Sequence, residues 1–247
     1  MASSVYSQLA EIVRQGRAAS LATVVKSDTG EIPVGAKLLL PGGGSEQSGS
    51  IHPELDGTLM ADAGRLLADE RSETIAYEAP GGTVEVFIQS FPPPQQVVIV
   101  GAVHVAIPLA KIAKMLGYEV TVTDPRGVFA APARFPEADR LIVEWPEDAF
   151  KQIELNTSTS VVVLTHDPKL DLPATLAALQ SPARYVGAIG SRTTTAQRKI
   201  DLADMGASEE QLARLHSPIG LKIGSRTPAE IALSIMAEIV ATRRGQG

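Results

Sequence analysis

Residues 97–100 are Val-Val-Ile-Val and lead directly into Gly101, and this junction constrains the fold more than any other feature. A continuous β-branched run is typical of a strand that is buried on both faces of a parallel sheet. A helical pattern over 104–116 follows and ends at Gly117, which suits a C-terminal cap. The order strand, glycine turn and helix is that of the first unit of a doubly wound sheet.

The same alternation of strand and helix continues towards the end of the chain. It predicts a Rossmann-like, doubly wound parallel-sheet domain, in which ligands bind at the C-terminal ends of the strands. The further predicted strands are 119–123, 141–143 and 160–164, and the predicted helices are 173–180, 193–205, 209–215 and 228–243.

A proline-rich stretch, residues 91–96 (FPPPQQ), predicts a domain boundary, because consecutive prolines favour a stiff extended connector. The preceding residues predict a small α+β domain. Its predicted elements are a helix at 5–16, strands at 18–26 and 34–40, a helix at 55–71 and a hairpin of 74–78 with 83–90. We therefore expect an α+β domain over 1–90, a linker over 91–96 and a Rossmann-like domain over 97–247.

Composition excludes several classes of function. The formal net charge of −6 argues against a nucleic-acid surface. The absence of cysteine excludes disulfides, thiolate metal sites and thiol catalysis. No stretch approaches the roughly 18 to 20 apolar residues of a membrane helix, and the first residues lack the features of a signal peptide. We expect a cytoplasmic protein that does not insert into membranes.

The tetrapeptide Gly-Ser-Arg-Thr occurs twice, each time between a short apolar run and a helical pattern. The copies are Gly190, Ser191, Arg192 and Thr193, and Gly224, Ser225, Arg226 and Thr227. Glycine permits a tight turn, serine or threonine caps a helix, and arginine adds a positive fork that suits phosphate. The repetition predicts two sites for a phosphate-like anion. Alternatively, both copies are ordinary strand-to-helix turns whose arginines pair with local carboxylates.

The second copy also carries the signature of a helix start. Thr227 is followed by Pro228 at the first helical position and by Glu230 at the third. This arrangement predicts a capping box, and any contact with a ligand is secondary to it.

The turn after residues 97–100 resembles an incomplete dinucleotide-binding motif. Gly101 and Ala106 occupy the first and third small positions, but Val103 stands where a second glycine would let a pyrophosphate approach the backbone. Asp124 ends the next strand, where an acid would bind a ribose hydroxyl. An NAD(P) site therefore stays open as an alternative.

Polar residues follow several predicted strands and are expected to meet at one sheet edge. His104 lies in the first turn, and Arg126 either faces an anion or pairs with Asp124. His166 is a candidate general base or hydrogen-bond donor, or an ordinary loop histidine, while Asp167 either orients it or caps the next helix.

Seven stretches, in this order, resemble the xanthine dehydrogenase accessory protein family, often called XdhC/CoxI. They are 101–106 (GAVHVA), 124–126 (DPR), 134–136 (RFP), 165–167 (THD), 185–192 (YVGAIGSR), 218–221 (PIGL) and 227–232 (TPAEIA). The resemblance implies a chaperone, rather than a turnover enzyme, that binds the molybdenum cofactor and delivers it in sulfurated form. The implied partners are an apo-molybdoenzyme of the xanthine dehydrogenase type, a sulfurase and a second copy in a homodimer.

Three positions depart from the family pattern. Residues 29–34 (TGEIPV) keep the proline of a usual Gly-Ser-x-Pro-Arg stretch but lack its arginine, and Val103 replaces a glycine. Residues 48–55 (SGSIHPEL) lack the family cysteine, so His52 or Glu54 could substitute as a ligand, or the stretch is a capped helix start.

The sequence therefore predicts an accessory protein that holds the cofactor phosphate on the two Gly-Ser-Arg-Thr loops. The rivals are an NAD(P)-dependent oxidoreductase or nucleotide-binding enzyme, and an interaction protein that has lost its ligand. The expected cofactor-binding residues are Gly101, His104, Asp124, Arg126, His166, Asp167, Gly190, Ser191, Arg192, Gly224, Ser225, Arg226 and Thr227, with no catalytic or metal-ligating residue.

Overall fold

The computed structural model describes residues 5–42, 47–165 and 167–245. The chain divides after Pro93 into two compact units. Among the described residues, no helix is long and apolar enough to cross a membrane.

The first unit is an antiparallel sheet with helices against it. Its elements are α1 (Val5–Arg14), β1 (Ala19–Ser27), β2 (Lys37–Pro41), β3 (Ser48–Gly49), α2 (Pro53–Ala68), β4 (Glu73–Ala79) and β5 (Gly82–Phe91). The strand order is β3-β2-β1-β5-β4. Alternate residues of β2 serve two cores, because Leu38 and Leu40 pack with Leu59 of α2 while Leu39 packs with Leu9 of α1.

The second unit is a parallel sheet with helices between its strands. Its elements are β6 (Gln96–Val100), α3 (Ala106–Met115), β7 (Glu119–Thr123), β8 (Arg140–Ile142), α4 (Pro146–Ala149), β9 (Thr159–Val163), α5 (Pro168–Gln180), β10 (Tyr185–Ala188), α6 (Arg192–Asp204), α7 (Glu209–Ala213), β11 (Leu215–His216) and α8 (Pro228–Arg243). The order β11-β10-β9-β6-β7-β8 is that of a Rossmann sheet, so the prediction of a doubly wound fold is confirmed.

Strand β6 is buried on both faces, as its sequence predicts. Val97 and Ile99 pack with Leu109 of α3 and Ile235 of α8 in one core. Val98 and Val100 pack in a second core on the opposite face of the sheet, with Ala174 of α5 and Leu202 of α6. Side chains of a strand alternate between faces, so each face needs its own helical cover.

One helix of the second unit starts earlier than predicted, and the run before the second tetrapeptide is irregular. Helix α5 begins at Pro168, which follows the capping residue Asp167, and it contains Pro173, which was predicted to start the helix. The apolar run at 219–223, which precedes the second tetrapeptide, is irregular, and the preceding strand β11 is only two residues long. Gly220 in this run has a φ of +92°, which an extended strand does not allow.

Candidate functional site

The C-terminal ends of β6, β7, β9 and β10 lie along one edge of the sheet, because these strands are parallel neighbours. The connections reverse direction between β6 and β9, and open α/β sheets bind ligands beside such a reversal. The candidate site is therefore the set of turns that follow these four strands.

The turn after β6 requires glycine at its first position. Gly101 has a φ of +102°, and its N–H donates to the Thr123 carbonyl at 2.8 Å. A Cβ at this position would lie 2.6 Å from Cγ2 of Thr165, which follows β9. Gly101 thus serves the packing of one strand end against the next. His104 is exposed in the same turn, and Val103 packs partly against the core.

The carboxylate of Asp124 is committed to the protein itself. Its Oδ2 accepts the Ala102 N–H at 2.9 Å, and Oδ1 accepts the Arg126 N–H at 2.9 Å. The Arg126 guanidinium adds two further hydrogen bonds of 2.8 Å. The Asp124 side chain has no exposed surface. We expected Asp124 to contact a ligand; in the structure its carboxylate fixes the first turn and orients Arg126.

These contacts decide how Asp124 titrates. Burial by itself would raise its pKa, but hydrogen bonds from Arg126 and from the Ala102 N–H outweigh that effect, and the pKa lies below its ordinary value. Asp124 is therefore a carboxylate at neutral pH and holds a partly exposed guanidinium at the sheet edge.

Arg126, which follows β7, lies within electrostatic reach of Asp167, which follows β9. Hydrogen bonding to Asp124 raises the pKa of Arg126, and the charge of Asp167 adds to the shift. Asp167 is exposed and caps α5, with its Oδ1 accepting the Lys169 N–H at 3.0 Å. The structure thus brings Arg126 and Asp167 together, while His166 lies outside the described residues.

The first Gly-Ser-Arg-Thr copy opens helix α6. The Ser191 hydroxyl accepts the Thr194 N–H at 3.1 Å, which leaves Arg192 and Thr193 in the first turn of the helix. Both residues are exposed, and within the described part of the chain their N–H groups have no hydrogen-bond acceptor. Free N–H groups and the helix dipole favour an anion here, and the Arg192 side chain adds a full positive charge.

The second copy has a different environment. A single carboxylate oxygen of Glu230 accepts the N–H groups of Arg226 at 2.7 Å and of Thr227 at 2.9 Å. These hydrogen bonds lower the pKa of Glu230. The predicted capping box is therefore present, and the protein's own carboxylate occupies the position of an external anion. Gly224, with a φ of +77°, and Ser225 lie in the irregular segment before this helix.

A buried polar network, which the sequence did not reveal, supports the first copy. Arg198 of α6 pairs with Asp171 of α5 at 3.0 Å, and their side chains are 4% and 7% exposed. The same guanidinium donates to the Ile189 carbonyl at 2.8 Å and to the Ser217 hydroxyl at 3.0 Å. Asp171 also accepts the Thr165 hydroxyl at 2.7 Å.

The network joins the chain just after β9, β10 and β11. Its only sequence signal is that Arg198 falls in the buried stripe of α6 with Thr195 and Leu202, at helical spacing. A charged residue in such a stripe indicates a buried partner, but the pattern does not identify it.

The side chains that could ligate a metal ion are dispersed over the molecule. Among residues 5–42, 47–165 and 167–245, no group of three histidine, aspartate or glutamate side chains could hold a metal ion. His52 instead caps α2, where its Nδ1 accepts the Glu54 N–H at 3.3 Å.

Comparisons with known proteins agree with this architecture. The family model of the XdhC Rossmann domain matches residues 97–239. The chain is 32% identical over 162 residues to a probable xanthine dehydrogenase subunit of Bacillus subtilis, and the match covers 66% of this chain and 47% of that protein. It is 34% identical over 102 residues to the molybdenum cofactor insertion chaperone PaoD of Escherichia coli, covering 41% of this chain and 31% of the chaperone.

A solved structure, described as a xanthine dehydrogenase from Bacillus halodurans, resembles the whole chain. The TM-score is 0.55 at 19% identity, over 99% of this chain and 97% of that one, and this likeness shows the fold alone. The chain spans less than half the length of the two sequence relatives named above.

The lowered pKa of Asp124 makes its contribution to stability depend on pH. A carboxyl whose folded pKa lies below its ordinary value of 3.8 stabilises the fold above that pH and loses the effect as pH falls through the folded value. We expect Asp124→Asn to lower the free energy of unfolding at pH 7, and the difference from the unmodified protein to shrink below pH 3.8. Urea unfolding of both proteins between pH 7 and pH values below 3.8 measures this difference. A difference that does not depend on pH would contradict the expectation.

The buried pair of Asp171 and Arg198 predicts that the losses of unfolding free energy in the two single variants do not add in the double variant. Asp171→Leu should lower the free energy of unfolding by about 3–5 kcal/mol, because it leaves the Arg198 charge buried without its carboxylate partner. Replacing both residues by leucine should recover most of that loss, which urea unfolding of the two single variants and the double variant tests. Asp148→Ala, at the exposed pair with Lys151, is the control and should leave unfolding unchanged. Additive losses in the double variant would contradict the role given to the pair.

Proposed function

Because the chain belongs to the XdhC family, whose domain model covers more than half of it, we propose that it is an accessory protein of molybdoenzyme maturation. This membership agrees with the resemblance seen in the sequence. In this proposal the chain binds the molybdenum cofactor at the C-terminal edge of its parallel sheet. It then delivers the cofactor to an enzyme of the xanthine dehydrogenase type.

One observation carries the proposal for the site: the exposed start of α6. Arg192 provides a positive side chain beside two N–H groups, its own and that of Thr193, which have no acceptor among the residues that the structure describes. A phosphate needs this set of donors, and the charged hydrogen bonds to it are stronger than neutral ones. The phosphate of the cofactor therefore fits this loop.

The carboxylate of Asp167 is suited to bind the pterin ring of the cofactor. The exposed Asp167 uses one oxygen to cap α5 and has further acceptor capacity. A pterin ring presents N–H donors along one edge, which a carboxylate can accept. Asp167 would orient the ring, while the Asp171–Arg198 network holds the neighbouring strand ends in place.

The proposal uses fewer residues for direct contact with the cofactor than the sequence predicted. In the second copy the N–H groups of Arg226 and Thr227 are occupied by Glu230, so the proposal assigns the phosphate to the first copy. Asp124 acts through Arg126 rather than by contact. Since the chain has no cysteine, the proposal includes no thiolate bond from protein to molybdenum.

An ordinary NAD(P) site is less compatible with this edge. The strand order suits a dinucleotide, but the acid that would bind a ribose hydroxyl is buried and fully hydrogen-bonded. Homodimer formation and a sulfurase partner stay predictions from the family resemblance, and a cytoplasmic location stays a prediction from the composition.

The two tetrapeptides provide a matched test. We expect Arg192→Ala to weaken binding of the molybdenum cofactor at least about tenfold, since a charged hydrogen bond contributes about 1.5–3 kcal/mol. Arg226→Ala should change the affinity less than about twofold, because α8 is already capped by Glu230. Anaerobic fluorescence titration measures both dissociation constants, with circular dichroism as the check on folding.

Three results would count against this assignment. Equal losses in both variants would return the second loop to the site, and no loss in either would remove the phosphate from both loops. A thermal shift with NADPH and none with the cofactor would favour the oxidoreductase alternative, since a ligand at 100 times its dissociation constant adds about 2.7 kcal/mol.

A further inference from the structure

Strand β4 forms one edge of the antiparallel sheet of the first unit, and within the described residues β5 is its only partner strand. It has seven residues, whereas the other edge strands of the described chain, β3, β8 and β11, have two, three and two. An open strand edge presents backbone N–H and C=O groups that another strand can bind. Because proteins usually shorten or cover such edges, a long open one indicates an interaction surface.

The register of the β4–β5 hairpin determines which backbone groups face outward. Ala79 pairs with Gly82 across a two-residue turn, and such a closing pair exchanges both of its N–H···O=C hydrogen bonds. Hydrogen-bonded pairs alternate along an antiparallel ladder, so the odd-numbered residues of β4 bond to β5. The N–H and C=O groups of Thr74, Ala76 and Glu78 therefore point away from β5. All three residues are exposed, and within the described part of the chain these groups have no partner.

The odd-numbered side chains attach β4 to the core of its own unit. Tyr77 is buried in the cluster that includes Leu59 of α2, and Ile75 packs partly against the same cluster. The Tyr77 hydroxyl donates to Oδ2 of Asp62 in α2 at 2.8 Å. The strand is thus held through its inner face, and its outer edge can pair without any loss of these contacts.

The sequence of β4 is complementary to itself in one antiparallel register. A two-fold axis at Ala76, the middle residue of the strand, pairs all seven residues with those of a second copy. The residues whose backbone groups face outward then form hydrogen-bonded pairs, and no two carboxylates lie opposite each other. A register centred on Glu78 would place two carboxylates in opposition, which is unfavourable. The opposed pairs about Ala76 are Glu73 with Ala79, Thr74 with Glu78, and Ile75 with Tyr77.

We propose that β4 pairs with β4 of a second copy of this chain, antiparallel and centred on Ala76. The two five-stranded sheets then form one continuous sheet, with a Thr74–Glu78 pair on each side of the axis. A threonine hydroxyl donates to a carboxylate across such a pair, which adds a polar contact to the backbone hydrogen bonds. None of these residues belongs to the proposed cofactor site, so the interface does not depend on the proposed function.

Sedimentation velocity of the full chain over a series of concentrations tests the interface, and we expect a reversible dimer. Ala76→Pro should raise the dissociation constant of the dimer at least about tenfold, because it removes one outward N–H from each copy at the centre of the ladder. This N–H makes no bond to β5, so the variant should fold, since edge strands accept proline where the N–H faces solvent. Circular dichroism and thermal unfolding verify the fold.

Charge substitutions test the register. Thr74→Glu should weaken the dimer at least about fivefold, because it places two pairs of carboxylates in opposition. The addition of Glu78→Lys to this variant puts opposite charges in both pairs and should restore the dissociation constant of the unmodified protein. Thr58→Glu, at an exposed threonine of α2 in the same unit, is the matched control and should leave association unchanged.

Hydrogen–deuterium exchange gives a second readout at the strand itself. The amide hydrogens of Thr74, Ala76 and Glu78 should become protected as the protein concentration rises, because their N–H groups are bonded only in the dimer. The proposal is overturned by a chain that stays monomeric at every concentration, by a dimer that folded Ala76→Pro does not weaken, or by unchanged exchange at these three amides. It is also overturned if Thr74→Glu associates like Thr58→Glu, or if the double variant associates no better than Thr74→Glu.

Discussion

The buried pair of Asp171 and Arg198 is the interaction on which the geometry of the site depends. Removing two charges from water is costly, and the cost is tolerable only when both groups are fully hydrogen-bonded. Here Thr165, the Ile189 carbonyl and Ser217 complete the set. Because these partners follow three different strands, the pair holds together only when the strand ends are correctly placed. The loop that carries Arg192 starts one residue after Ile189, so its position is fixed by the same contacts.

Asp124 has a comparable role on the other side of β6. Its carboxylate joins the first glycine turn to the end of β7 and holds the partly exposed Arg126 guanidinium. The acids of the site are thus divided between two tasks. Asp124 and Asp171 are buried and hold the scaffold, whereas Asp167 is exposed. This edge therefore carries the positive charges of Arg126 and Arg192 and the carboxylate of Asp167.

The fold was predictable because it follows from local patterns. The run at 97–100 faces two cores, and α8 and β7 have their predicted bounds. The division into 1–90, 91–96 and 97–247 stays a prediction. The Asp171–Arg198 pair could not be found in advance, because a contact across 27 residues leaves no periodic trace. The surroundings of Asp124 could not be predicted for a related reason: its position in the strand suits a ribose, and only the structure shows its neighbours.

The two Gly-Ser-Arg-Thr copies show what a repeated motif leaves undetermined. Both begin a helix, but the third residue of α8 is Glu230 and the third residue of α6 is Thr194. A glutamate at this position returns to the helix start and accepts its N–H groups, while a threonine adds no charge there. The N–H groups of Arg192 and Thr193 are therefore not taken by a carboxylate of their own helix, whereas those of Arg226 and Thr227 are. The two copies also enter their helices at different positions, because the capping residue is Ser191 in α6 and Thr227 in α8. The repeated tetrapeptide therefore determines neither where its helix begins nor which groups accept the N–H donors.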